Sequence, residues 1–128
     1  MNYYFSTRVN LDFDDAVSAV TEALKGEVFG VLTEIDVKET FKNKLDVDFR
    51  PYKILGACHP SSAHRAITNE PFIGLMLPCN VIVQETNGVV EVSAIDPIAS
   101  MLAVDNPKLA KVGNEVRDKL QNVIKKLS

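Results

Sequence analysis

Apolar residues recur along the chain with two periods, one typical of helices and the other of strands. Phe13, Val17, Val20 and Leu24 follow one another at spacings of four, three and four residues, which places them on one helical face. A longer stripe with the same spacing lies near the end of the chain, at Leu109, Val112, Val116, Leu120, Val123, Ile124 and Leu127. Both stripes predict amphipathic helices that turn an apolar side toward a core.

Short apolar runs rich in β-branched and aromatic residues predict five strands. They cover residues 3–9, 28–35, 52–57, 79–86 and 89–95. The last two flank Asn87-Gly88, which supplies the positive φ angles of a two-residue type I′ hairpin turn. This turn places Val83 opposite Val92 and Val81 opposite Ala94 on an apolar face, and leaves a mixed face of Ile82, Gln84, Glu91, Ser93 and Ile95.

Short polar side chains mark the helix starts, because their oxygens accept hydrogen bonds from free backbone N–H groups. The candidates are Asn10 or Asp12 for the first helix, Asp36 for a short second helix, and Asp105 or Asn106 for the last. Pro60 fits the first turn of a further helix, which covers 61–69. The apolar segment 72–77 fits either a strand or a loop.

The order β-α-β-α-β-α-β-β-α predicts an α/β (α+β) two-layer sandwich. We expect a mixed sheet of about five strands with the helices mainly on one face, and a single domain over residues 1–128. One sheet face then lacks a covering layer. We therefore expect a homodimer built through that face.

Composition narrows the classes of function. The net charge of -3 gives no sign of the basic patch that nucleic-acid-binding proteins usually carry. No apolar run approaches the roughly 20 residues of a membrane span. The start of the chain, 1–5, has neither the basic nor the apolar region of a signal peptide. Two cysteines are too few for a disulfide framework. These features indicate a soluble, cytoplasmic protein that binds neither nucleic acid nor membranes.

The candidate chemistry is concentrated where the central strand meets the helix that begins at Pro60. Cys58 lies just ahead of that helix start, where free N–H groups and the helix dipole favour a thiolate. His59 and His64 could add positive charge or accept a proton. The alternative is that Cys58 is a small buried apolar residue at a strand end.

Cys79 and Asn80 join Cys58, His59 and His64 as candidate ligand-binding residues, because their strand could lie beside the central one. The cysteine and histidine spacing matches no standard zinc motif, so we expect no metal site. No cofactor is evident, since the sequence contains no G-x-G-x-x-G or Walker loop. A serine nucleophile is not indicated either, because there is no G-x-S-x-G elbow.

Four segments, at 52–60, 70–81, 29–37 and 96–97, resemble the family catalogued as domain of unknown function 302. The resemblance covers essentially the whole chain. It implies a small α/β fold with a mixed sheet and a dimeric assembly, and it implies no activity. Family members commonly carry asparagine after the motif cysteine, whereas this chain has His59.

Two functions fit these features, and the sequence leaves open whether the protein is an enzyme. The first is a small-ligand-binding or accessory module that forms a homodimer, with a pocket around Cys58, His59 and residues 78–80. The alternative is a thiol-dependent redox or sulfur-transfer enzyme that acts through Cys58.

Overall fold

The structure, a computed structural model, describes residues 2–128. The strands are β1 (Tyr4–Val9), β2 (Gly30–Asp36), β3 (Tyr52–Cys58), β4 (Cys79–Thr86) and β5 (Val89–Ile95). The helices are α1 (Phe13–Gly26), α2 (Val37–Leu45), α3 (Pro60–Asn69), α4 (Pro97–Ser100) and α5 (Leu109–Leu127), and a 3₁₀ helix covers Pro71–Met76.

The five strands form one sheet in the order β1-β5-β4-β3-β2. The α/β architecture, the five strands and the predicted order of elements are confirmed. The sheet is not mixed, however, because every pair of neighbouring strands is antiparallel. The connection through α1 carries the chain from β1 at one edge to β2 at the other. These two strands run in the same direction but are never neighbours, so no parallel pair forms.

The core lies between one face of the sheet and the long helices α1 and α5. Leu24 of α1 and Leu120 of α5 are completely buried, as are Leu55 of β3 and Val92 of β5. The two apolar stripes predicted from the sequence therefore meet the same sheet face. Burial of apolar surface at about 25 cal/mol per Å² is the main stabilising contribution here.

The local signals in the sequence are confirmed where they depend on neighbouring residues. Asn87 and Gly88 have φ angles of 52° and 79°, and the hairpin pairs Val83 with Val92 as predicted. Asp12 and Asp36 each accept a hydrogen bond from the backbone N–H three residues on, at 2.9 and 3.0 Å.

One element differs from the prediction in its type, and two differ in where they begin. Residues 71–76 form a 3₁₀ helix, which is neither of the two predicted alternatives. β2 begins at Gly30 rather than at Val28, because Val28 has a left-handed φ of 65°. α5 begins at Leu109, and Asn106 accepts a hydrogen bond from the backbone N–H of Lys108 just before it.

The second sheet face carries no long helix. Ile35, Ile54 and Ile82 pair in register across β2, β3 and β4 and form an apolar row on this face. The row continues through Ser93 to Ser6, whose hydroxyl oxygens are 2.8 Å apart. Within residues 2–128, no helix is long and apolar enough to cross a membrane.

Candidate functional site

A cavity of about 310 Å³ lies where β3 runs into α3. Most of its wall is apolar. The sheet side contributes Phe29, Leu32, Ala57, Cys58 and Cys79; α3 and its start contribute His59, Ser62, Ala63, Ala66 and Ile67; Gly74, Leu77, Pro78, Met101, Val112 and Val116 complete the wall. The cavity is therefore assembled from segments that are distant in the sequence.

The junction between β3 and α3 has this shape because two segments approach Gly56 closely. A Cβ atom at this position would lie 2.8 Å from Cγ of Pro78 and in contact with Oγ1 of Thr33. Only glycine leaves room for both neighbours. Pro78 is thereby held against β3 and forms part of the cavity wall.

The two cysteines line the same cavity and are both free thiols. β3 and β4 are neighbours, and Ala57 pairs with Cys79, so Cys58 is one residue beyond that pair. Burial, and then the neighbouring Cys58, raise the pKa of the Cys79 thiol to about 11. Cys79 is therefore a protonated, weakly polar group at neutral pH.

His59 closes the same end of the cavity. Its ring meets the ring of Phe29 edge to face at 5.4 Å, and its Nδ1 lies 3.4 Å from Oγ of Ser61. Burial lowers the pKa of His59, and the positive charges of Lys119 and Arg65 lower it further. The imidazole is consequently neutral at pH 7 and offers one hydrogen-bond donor and one acceptor.

Ser62 is the most buried polar residue of the cavity, with 2% of its surface exposed. Its hydroxyl accepts a hydrogen bond from Nη2 of Arg65 at 3.4 Å. Arg65 in turn forms an ion pair with Glu115 of α5, which ties the two helices together. The guanidinium charge is thus balanced outside the cavity wall.

The structure brings together three of the five predicted site residues. Cys58, His59 and Cys79 line the cavity. His64 is exposed on α3, and Asn80 lies in a separate groove on the second sheet face. The two do not contribute to the cavity because successive strand residues alternate between faces, and because His64 is on another side of its helix.

The apolar wall of the cavity was not predicted as part of a site. Val112 and Val116 fit the helical stripe of α5, and nothing in that stripe separates a cavity wall from a packed core. One signal was present: α3 carries the small residues Ser62, Ala63 and Ala66 on its inward side. Small side chains there leave space that larger ones would fill.

The set of polar groups limits the chemistry of this site. Within residues 2–128, no group of three or more His, Cys, Asp or Glu residues is placed to hold a metal ion. Two thiols, one neutral imidazole and one hydroxyl face an otherwise apolar space. Such a site can enclose a small apolar molecule and orient it through a few polar contacts.

Comparison with known proteins places the chain in a family. The model of a family described as "Domain of unknown function DUF302" matches residues 5–127. The crystal structure of an uncharacterised conserved DUF302 protein from Bacillus stearothermophilus is similar over 100% of both chains, with 25% sequence identity and a TM-score of 0.93. A search of the curated proteins found no match. The chain belongs to the DUF302 family.

Proposed function

We propose that this protein is a small-ligand-binding or accessory module that acts as a homodimer. The observation that carries the proposal is the apolar cavity at the β3–α3 junction, which contains Cys58, His59 and Cys79. Its volume of about 310 Å³ is at the lower end of the range of roughly 300–1,000 Å³ that is usual for ligand pockets.

The arrangement of the cavity supports binding more strongly than catalysis. Its apolar wall removes the part of a ligand that it covers from water, and the hydrophobic contribution to affinity is about 0.8 kcal/mol for each buried methylene group. His59 has no carboxylate partner that would orient it as a general base; its only close polar contact among the described side chains is Ser61.

Filling the cavity tests the binding function. Ala63 lines the cavity and is half-buried, so Ala63→Leu places three extra carbon atoms in that space. We expect the variant to bind ethylbenzene at least about tenfold more weakly than the wild type, a change of about 1.4 kcal/mol. Ligand-observed NMR titration measures both dissociation constants.

The matched control is Ala110→Leu, which makes the same change at an exposed position of α5. This variant should bind ethylbenzene as the wild type does. Equal affinity in all three proteins, or no binding by the wild type, would contradict a ligand site in the cavity.

The second sheet face supports the homodimer. A groove of about 430 Å³ runs over this face, and Tyr4, Tyr52, Ile82 and Ile95 are among its lining residues. Together with Ile35 and Ile54, these side chains give the sheet an apolar centre that water covers poorly. A second copy related by twofold symmetry would bury the same groove on both partners.

Sedimentation equilibrium tests this interface. We expect the wild type at micromolar concentration to have twice the 14.1 kDa mass of one chain. Ile82→Glu should shift the mass to that of one chain, because an isolated carboxylate in an apolar interface loses its hydration. Leu75→Glu changes a residue that is 84% exposed on the 3₁₀ helix, and it should leave the dimer intact. A wild-type mass of one chain rules the dimer out.

The alternative function is a thiol-dependent redox or sulfur-transfer enzyme acting through Cys58. One observation favours it: Cys58 lines the cavity directly before α3, and the side chain of His59, the residue that precedes the helix, does not cap the first-turn N–H groups. Such an enzyme needs Cys58 to react as a thiolate in the folded protein. Both cysteines are free thiols, so Cys58 is available for such a reaction.

A further inference from the structure

We propose that the cavity takes an uncharged, compact apolar molecule that carries one hydrogen-bond acceptor, such as a ketone or aldehyde oxygen, directed at Ser62. This inference rests on the proposed binding function and names the chemical class of its ligand. Three features of the cavity lead to it: its volume, the absence of charge in its wall, and the hydrogen bonding of Ser62.

The volume sets the size of the ligand. A water molecule occupies about 30 Å³ in the liquid. The cavity of about 310 Å³ therefore has room for about ten such volumes. The ligand is consequently a molecule of about ten non-hydrogen atoms, the size of a single substituted ring or a short branched chain.

The wall sets the charge of the ligand. None of the side chains lining the cavity is an aspartate, glutamate, lysine or arginine. The nearest guanidinium, on Arg65, is already paired with Glu115. His59 is neutral at pH 7, because burial and the nearby cations lower its pKa. A charged ligand would lose its hydration without gaining an oppositely charged partner. The free energy that this desolvation costs is far larger than the favourable free energy of the apolar contacts.

Ser62 sets the polar group of the ligand. Its hydroxyl oxygen accepts from Arg65, and across residues 2–128 no protein oxygen accepts the hydroxyl proton. Ser62 has only 2% of its surface exposed and lines the cavity, so the cavity is the space from which an acceptor can reach this hydroxyl. Buried donors are normally paired, because an unpaired one costs about 1–3 kcal/mol. A carbonyl oxygen on the ligand would supply the missing acceptor.

Three probes of similar size test the inference by titration: acetophenone, which has a carbonyl oxygen; ethylbenzene, which has none; and benzoate, which is charged. We expect Ser62→Ala to weaken acetophenone binding about three- to tenfold, since a net hydrogen bond contributes about 0.5–1.5 kcal/mol. The affinity of Ser62→Ala for ethylbenzene should stay within about twofold of the wild type, and this result also shows that the cavity is intact. Benzoate should not bind at millimolar concentration.

The control variant is Ser18→Ala, which removes an exposed hydroxyl from α1 and should change no affinity. Equal weakening of acetophenone and ethylbenzene by Ser62→Ala would overturn the role of the hydroxyl. Benzoate binding as tight as that of acetophenone would overturn the uncharged class. If neither neutral probe binds the wild type, the proposed binding function itself fails, and that outcome differs from the other two.

Discussion

Substitution of Gly56 by alanine is expected to destabilise the protein more than the same change at any other strand glycine. The added Cβ would meet the Pro78 ring at 2.8 Å and overlap Oγ1 of Thr33. The Pro78 ring is not the free end of a flexible side chain, so it cannot rotate away from the added methyl group. Overpacking of this kind typically costs about 1–3 kcal/mol, and we expect a value near the upper limit. Urea unfolding followed by circular dichroism gives the free energy of unfolding directly.

Gly30→Ala is the matched control, because Gly30 is also a strand glycine but has no atom within 4 Å of the position that an added Cβ would occupy. Its free energy of unfolding should stay within about 0.5 kcal/mol of the wild type. In the Gly56→Ala background, Thr33→Ala removes one of the two overlaps and should recover part of the loss. Equal stability of the Gly56→Ala and Gly30→Ala variants would show that the β3–α3 junction is not closely packed.

The two thiols are expected to differ strongly in their reaction with iodoacetamide. Burial and Cys58 raise the pKa of Cys79 from 9.0 to about 11. At pH 8 this shift lowers the fraction of thiolate by about a hundredfold, and the thiolate is the nucleophile. Folded Cys58→Ala retains only Cys79 and keeps burial, the larger cause of the raised pKa, so it should react at least about tenfold more slowly than the same chain in urea.

The reciprocal variant, Cys79→Ala, reports on Cys58 and separates the two functions. If the protein is a binding module, Cys58 should react no faster than it does in the unfolded chain. A faster reaction in the folded protein would instead support the thiol-dependent enzyme. If Cys79 reacts rapidly in the folded Cys58→Ala protein, its thiol is not buried as described.

The raised pKa of Cys79 also has a consequence for stability. The folded state holds the thiol proton more tightly than the unfolded state. The protonated thiol therefore adds to the free energy of unfolding, and this contribution is fully present below about pH 9. This contribution is lost as the pH rises from 9.0 toward about 11. The loss follows from the burial of Cys79 next to Cys58.

Much of the fold was predictable because its signals are local. The helical stripe that contains Leu120, the hairpin turn at Asn87-Gly88 and the cap formed by Asp36 each depend on residues close together in the sequence. The spacing of side chains along a helix, the φ angles of a turn and the capping of free N–H groups are each set by residues only a few positions apart. The predicted helices, hairpin register and order of elements therefore agree with the structure.

Local patterns of residues were enough to predict the type and order of most elements, one apolar face for each long helix, and the thiol at the β3–α3 junction. Tertiary structure decided the rest, because it depends on which distant segments become neighbours. The crossover through α1 makes the sheet wholly antiparallel, and strand alternation separates Asn80 from Cys79. The cavity exists because the small residues of α3 face Val112 and Val116 of α5 across a space that no side chain fills.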